Sequence, residues 1–126
     1  MTTDPNQLLL EVTALAREAG RAILEVYASS FSVKEKEDRS PLTEADLRSE
    51  RLILAGLRRI APEIPVLSEE AAQVPYAARK NWSRLWVVDP LDGTREFVQR
   101  NGEFTVNIAL VDNHRPVLGI VHAPVL

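Results

Sequence analysis

Apolar residues at Leu8, Val12, Leu15, Ala16, Ala19, Ile23, Val26 and Tyr27 recur at intervals of three and four. That spacing lines one face of a helix. Asp4-Pro5 supplies a start signal, an aspartate N-cap followed by proline at the first helical position, so a helix is expected to about Ala28. Gly20 lies inside it and costs about 1 kcal/mol relative to alanine. Close helix packing and simple tolerance are both open explanations. Residues 31–36 read as a short strand and residues 37–42 (EDRSPL) as a polar loop. A second helix is expected from Thr43, with Leu47, Ile53, Leu54, Leu57 and Ile60 on its buried face, ended by Pro62 and Pro65.

Beyond the helices the pattern turns to short apolar runs. Pro65-Val66-Leu67 reads as a buried strand that delivers Ser68-Glu69-Glu70 at its end, and residues 71–84 as a surface excursion. Leu85-Trp86-Val87-Val88 is a continuous apolar run ending at Asp89, the signature of a strand buried on both faces. A turn at residues 90–94 follows. Residues 104–111 and 117–121 then form a hairpin around the loop Asp112-Asn113-His114-Arg115-Pro116. The expected fold is α/β (α+β layered): a mixed, largely antiparallel sheet with two long helices on one side. Both faces of the hairpin are apolar enough to need cover, and the chain stops just after a strand. It is therefore expected to be the N-terminal part of a larger domain.

Composition narrows the function. The 126 residues are 45% hydrophobic and 26% charged, with a formal net charge of −3, proportions of a globular domain. Mild acidity argues against non-specific nucleic-acid binding, which needs clustered positive charge. With no cysteine, disulfides, thiolate metal sites and cysteine nucleophiles are excluded. No secretory signal and no apolar run of membrane-spanning length is visible, so a soluble, cytoplasmic protein is expected.

The strongest chemical feature is Asp89-Pro90-Leu91-Asp92-Gly93-Thr94. A strand drives into a turn bearing two carboxylates, with proline fixing its entry and glycine permitting close approach of a ligand. Both carboxylates and the Leu91 carbonyl can be aimed at one point. An all-oxygen donor set suits a hard cation such as Mg²⁺. Glu69-Glu70 and Asp46 add acids from two other segments, and carboxylates from three segments are what a two-metal phosphoryl-transfer site needs. The Gly93 and Thr94 amides, if they open a helical turn, can receive phosphate oxygens. The Thr94 hydroxyl can orient a water nucleophile while bonded to Asp46.

Bland readings stand beside these. The turn is equally a β-turn whose aspartates cap backbone amides. Asp46, three residues after Thr43, fits a capping box. One carboxylate is not expected both to fold back on the cap and to reach a distant threonine, so those readings compete. Glu69 and Glu70 alone are a solvated pair. His114 reads as a solvated turn residue, His122 as structural, Trp82 and Trp86 as core anchors. Arg95 and Arg100 are candidates for a phosphate contact but more simply solvate a surface.

Taken together, SPLTEAD (40–46), PVLSEE (65–70) and WVVDPLDGT (86–94) resemble the lithium-sensitive, magnesium-dependent phosphatases of the inositol monophosphatase superfamily. The continuation REFV (95–98) and RNGEFTVNIAL (100–110) is similar to the branch that hydrolyses 3'(2'),5'-bisphosphate nucleotides, releasing AMP from adenosine 3',5'-bisphosphate, and implies a place in sulfur assimilation. The resemblance implies an αβαβα sandwich of which this chain is the N-terminal portion. It implies Glu69 and the Leu91 carbonyl as ligands of a first Mg²⁺, Asp89 bridging two, and Asp92 on the second. It further implies Thr94 with Asp46 activating water, and substrate phosphate held by Glu69, Leu91, Asp92, Gly93 and Thr94. Family members continue beyond this length and supply a further metal-binding aspartate and most of the nucleoside pocket, so the activity is expected of a longer parent. Alternatives are an inositol monophosphatase or sugar bisphosphatase, and a non-catalytic metal-binding or interaction module that self-associates through an exposed apolar face.

Overall fold

The computed structural model describes residues 4–29, 33–35, 41–68 and 76–126. Helix α1 spans Pro5–Tyr27, and α2 spans Glu44–Ile60. Between them β1 (Val33–Glu35) and β2 (Pro41–Thr43) pair antiparallel. Then come β3 (Val66–Ser68), a single turn α3 (Tyr76–Arg79), β4 (Arg84–Asp92), a short α4 (Thr94–Val98), β5 (Thr105–Asp112) and β6 (Arg115–His122).

The start of α1 follows the sequence signal. The Asp4 carboxylate accepts from the Asn6 amide at 3.0 Å, and Pro5 occupies the first turn. Its buried stripe is Leu8, Val12, Leu15, Ala16, Ala19, Ile23 and Val26, with Gly20. The far end is closed from outside: the Arg100 guanidinium donates to the Tyr27 and Ser29 carbonyls and lies 5.6 Å from the Tyr27 ring. Arg100 thus satisfies helix-terminal acceptors and complements the negative end of the helix dipole.

The second helix departs from expectation on its inner face. Ile53 and Leu57 are buried, but the rest of that face is Ala45, Asp46, Ser49 and Gly56, while Leu47 is 38% exposed. Small residues let the helices approach closely; a Cβ on Gly56 would sit 2.4 Å from Leu15. Gly20 has the same kind of reason, since a Cβ there would meet His122 Nε2 at 2.7 Å. What crowds Gly20 is thus the end of β6, not another helix.

The sheet order is β3-β4-β5-β6, with β3 parallel to β4 and the other pairs antiparallel. This is the mixed, largely antiparallel sheet expected, with α1 against β5 and β6 and α2 against β4. Trp86, Val88, Val106, Ile108 and Leu110 enter the core from the helix side. Tyr27, Phe97 and Phe104 close one end as an aromatic cluster with ring centroids 5.2–5.3 Å apart. Such pairs contribute about 0.5–1.5 kcal/mol each beyond area burial.

Three local expectations are corrected. Residues 41–43, read as loop and helix start, form a strand, because Pro41 and Leu42 find partners in Glu35 and Lys34. The run 85–88 is not buried on both faces: Val87 is 39% exposed, and the second face of the sheet is open along Val87, Ala109, Gly119 and Val121. Finally, β4 continues through Pro90 to Asp92 instead of ending at Asp89. The parts of the expected strand and loop at residues 31–32 and 36–40 lie outside the described residues.

Candidate active site

Strand β4 carries a one-residue irregularity where the acidic motif sits. Asp89 pairs with Asn107 and Asp92 with Thr105, so three steps on β4 match two on β5. Side chains alternate faces along a strand, and residues three apart normally point oppositely. The extra residue cancels that alternation. It brings Asp89 and Asp92 to the same face as Asn107, whose side-chain amide donates to Asp92 Oδ2 at 3.3 Å. The two carboxylates are thus delivered to one side of the sheet, at the end of a groove that includes Asp89 and Asn107.

The chain then reverses at Gly93, in the left-handed region at φ 96°, where a side chain would also crowd the Glu103 carbonyl at 2.9 Å. Glycine is needed there for both reasons. Gly93 is the N-cap of α4, so the expected helical turn does open at Thr94. Phe97, fully buried, anchors that turn in the aromatic cluster.

Helix α2 supplies the counterpart. Asp46 lies in its first turn and is fully buried. Its Oδ2 accepts from the Thr43 amide at 2.8 Å and the Thr43 hydroxyl at 2.7 Å. Its Oδ1 accepts from the Thr94 hydroxyl at 2.8 Å. The expected competition between capping and catalytic roles does not exist. A carboxylate has two oxygens with about four acceptor sites, and Asp46 gives one oxygen to the cap and the other to the turn.

Two further residues of α2 reach the same region, and the sequence reading passed over both. Ser49 Oγ donates to the Pro90 carbonyl at 2.6 Å, fully buried. Glu50 Oε2 accepts from Ser68 Oγ at 3.1 Å. The only available signal was spacing, since Ser49 lies three residues after Asp46 and hence on the same helix face. Asn107 was also passed over; it becomes visible only through the β4–β5 register.

Glu69, Glu70 and the excursion at residues 71–75 lie outside the described residues. The strand leading to Glu69 ends at Ser68, in register with Val88, the residue before Asp89. Among the described residues no three carboxylates or imidazoles cluster as a metal cage. The donors present, the Asp89 and Asp92 carboxylates and the Leu91 carbonyl, are all oxygen and lie in one short turn. That chemistry fits a hard divalent cation with a partly solvated shell. The Asn107 Oδ1 atom, buried without a hydrogen-bond partner among the described residues, marks a polar environment beside Asp92.

The remaining candidates fall elsewhere. His114 sits in the hairpin turn with φ 66° and is exposed, as expected. His122 packs over Gly20 on α1. Burial first, and then Arg17 and Arg21, hold its pKa below the ordinary imidazole value. Trp86 is a fully buried core anchor, and Arg95 is exposed.

Residues 4–126 match the inositol monophosphatase family. The chain is 54% identical over 121 residues to the 3'(2'),5'-bisphosphate nucleotidase CysQ of Salmonella typhimurium, covering 94% of this chain and 49% of that protein. Among solved structures, CysQ from Bacteroides thetaiotaomicron is 44% identical with a TM-score of 0.81, over 98% of this chain and 45% of that one. The inositol monophosphatase of Thermotoga maritima is 30% identical with a TM-score of 0.78, over 89% and 42%. The chain spans about half the length of the curated relatives it matches. With that match along residues 4–126, the chain belongs to the inositol monophosphatase family.

Proposed function

We propose that this chain carries the water-activating and cation-binding portion of a Mg²⁺-dependent phosphomonoesterase acting on 3'(2'),5'-bisphosphate nucleotides. The observation that carries the reading is the 2.8 Å hydrogen bond from Thr94 to Asp46. Thr94 has one hydroxyl proton, and it is committed to Asp46. Its lone pairs therefore face outward as acceptors. A water donating to Thr94 Oγ1 is oriented with a lone pair free for phosphorus, and its proton can pass through Thr94 to Asp46.

Asp89, Asp92 and the Leu91 carbonyl would hold the cation, with Glu69 as the fourth protein ligand. When bound, Mg²⁺ would neutralise charge on the phosphoryl oxygens and the leaving oxygen. The Gly93 and Thr94 amides open α4 and offer donors to the phosphate. The nucleotide branch is favoured over inositol phosphates by the 54% identity to a bisphosphate nucleotidase. The location that goes with this reading is the cytoplasm; among the described residues no helix is long and apolar enough to cross a membrane.

The test is phosphate release by the longer parent protein from adenosine 3',5'-bisphosphate and from inositol monophosphate, measured side by side over a Mg²⁺ titration. Preferred, Mg²⁺-dependent turnover of the adenosine compound is the expected result. Preference for inositol monophosphate would move the substrate to the sister branch.

A second reading rests on the open sheet face, where Val121 is 75% exposed. There the chain acts as a non-catalytic module that self-associates through that face. Sedimentation velocity separates the two, since a clean monomer over a concentration series removes the second.

A further inference from the structure

We infer that Ser49 is a positioning residue for the acidic turn, setting the orientation of the backbone carbonyl that the turn offers to a cation. This rests on the proposed metal-binding role of Leu91.

The need for such a residue follows from the β4 irregularity. Pairing with β5 is regular up to Asp89 and resumes at Asp92, so Pro90 and Leu91 stand outside the ladder. Both are buried. A buried carbonyl outside a ladder needs a donor, and proline has no N–H through which its own segment could re-pair. Ser49 meets the requirement from 41 residues away, at 2.6 Å with no exposure.

The bond fixes the plane of the Pro90–Leu91 peptide. That plane is the hinge between the Asp89 carboxylate and the Leu91 carbonyl. From the other side the Thr94 hydroxyl lies 3.4 Å from the Leu91 oxygen while bonded to Asp46. Asp46 and Ser49, one helical turn apart, therefore hold both ends of the segment that bears the donors. A helix inner face of larger apolar residues would pack as well but would leave the turn free to rotate. This accounts for a hydroxyl at a position where the sequence pattern calls only for something small and apolar.

The experiment is amide hydrogen exchange on metal-free Ser49→Ala, with Thr13→Ala as control. Thr13 also loses a hydroxyl bonded to a backbone carbonyl, at Leu9, but on the exposed side of α1. Alanine is small and helix-favouring, so the Ser49 variant is expected to fold, which far-UV circular dichroism checks. Exchange of the amides at residues 91–94 should rise about tenfold in Ser49→Ala, with β5 unchanged and no such rise in Thr13→Ala. Calorimetric Mg²⁺ titration should show about five- to tenfold weaker binding in Ser49→Ala than in the unsubstituted chain. Unchanged exchange at residues 91–94, or an equal rise throughout the sheet, overturns the role of Ser49. Absence of Mg²⁺ binding in the unsubstituted chain overturns the metal reading instead, and the exchange comparison still decides Ser49.

Discussion

Thr94 and Asp46 are 48 residues apart in the chain, yet the hydroxyl of one donates to Oδ1 of the other at 2.8 Å, inside the protein. The bond joins the first turn of α2 to the first residue of α4, so it reports on both at once. Replacing Thr94 by valine keeps shape and removes the hydroxyl. If it orients the nucleophile, phosphate release should fall by about 10²–10⁴-fold. Thermal stability should fall only by about 1–3 kcal/mol, because Asp46 keeps its two Thr43 donors. A Thr94→Val protein with near-normal turnover would remove Thr94 from the reaction.

In the longer parent protein, Asp89→Asn keeps volume and removes one negative charge from the turn. Mg²⁺-dependent phosphate release should be lost, and calorimetric Mg²⁺ binding should weaken sharply, because the amide is a poor substitute for a carboxylate toward a hard cation. Circular dichroism should be unaltered. Retained turnover would exclude a bridging role.

Gly93→Ala should destabilise by about 1–3 kcal/mol. The position demands φ 96°, and the new Cβ would press on backbone at Glu103, which cannot move aside like a side-chain tip. Urea denaturation measures this. The same change should reduce activity, since the reversal at Gly93 aims Thr94 at Asp46.

His122 gives a pH signature with a defined sign. Its pKa is lowered in the folded chain, by burial first and then by Arg17 and Arg21. The unfolded chain therefore binds more protons than the native one between the folded pKa and the unfolded value of about 6.5. The stabilising contribution is fully present above about pH 6.5 and is lost as pH falls toward the folded pKa. Urea midpoints from pH 8 to pH 5 should decline more steeply for the natural chain than for His122→Gln. Parallel profiles would show that the imidazole is not the responsive group.

Much of this fold is legible in the order of residues. The α1 stripe, its Asp4-Pro5 start and the hairpin at Asn113-His114 follow from period and turn chemistry, and each is local. The core positions Trp86 and Val88 are legible for the same reason. What is not legible depends on pairing between distant segments. The run 85–88 looks the same whether a strand is covered on one face or two, so the exposure of Val87 could not be read from it. Leu47 breaks the apolar stripe of α2 because the face actually used is dictated by a turn more than 40 residues away. At the site, the Asp46–Thr94 partnership was accessible from residue type and motif. The reach of one carboxylate to both cap and turn was not, since it depends on a three-dimensional position that puts Thr43 and Thr94 on opposite sides of Asp46. Ser49 and Asn107 belong to the same class: ordinary polar residues made significant by what the fold sets opposite them.

The irregular step in β4 has a consequence for how this segment tolerates change in length. Removing either Pro90 or Leu91 would restore a regular two-against-two count with β5: Asp92 would stay on the face of Asp89, but the peptides between them would be drawn straight into the ladder. The motif would then keep both carboxylates on one face and still lose the free carbonyl proposed for the cation. Substitutions at Pro90 and Leu91 should accordingly be milder than single-residue deletions there, whereas exposed loops ordinarily tolerate changes of length.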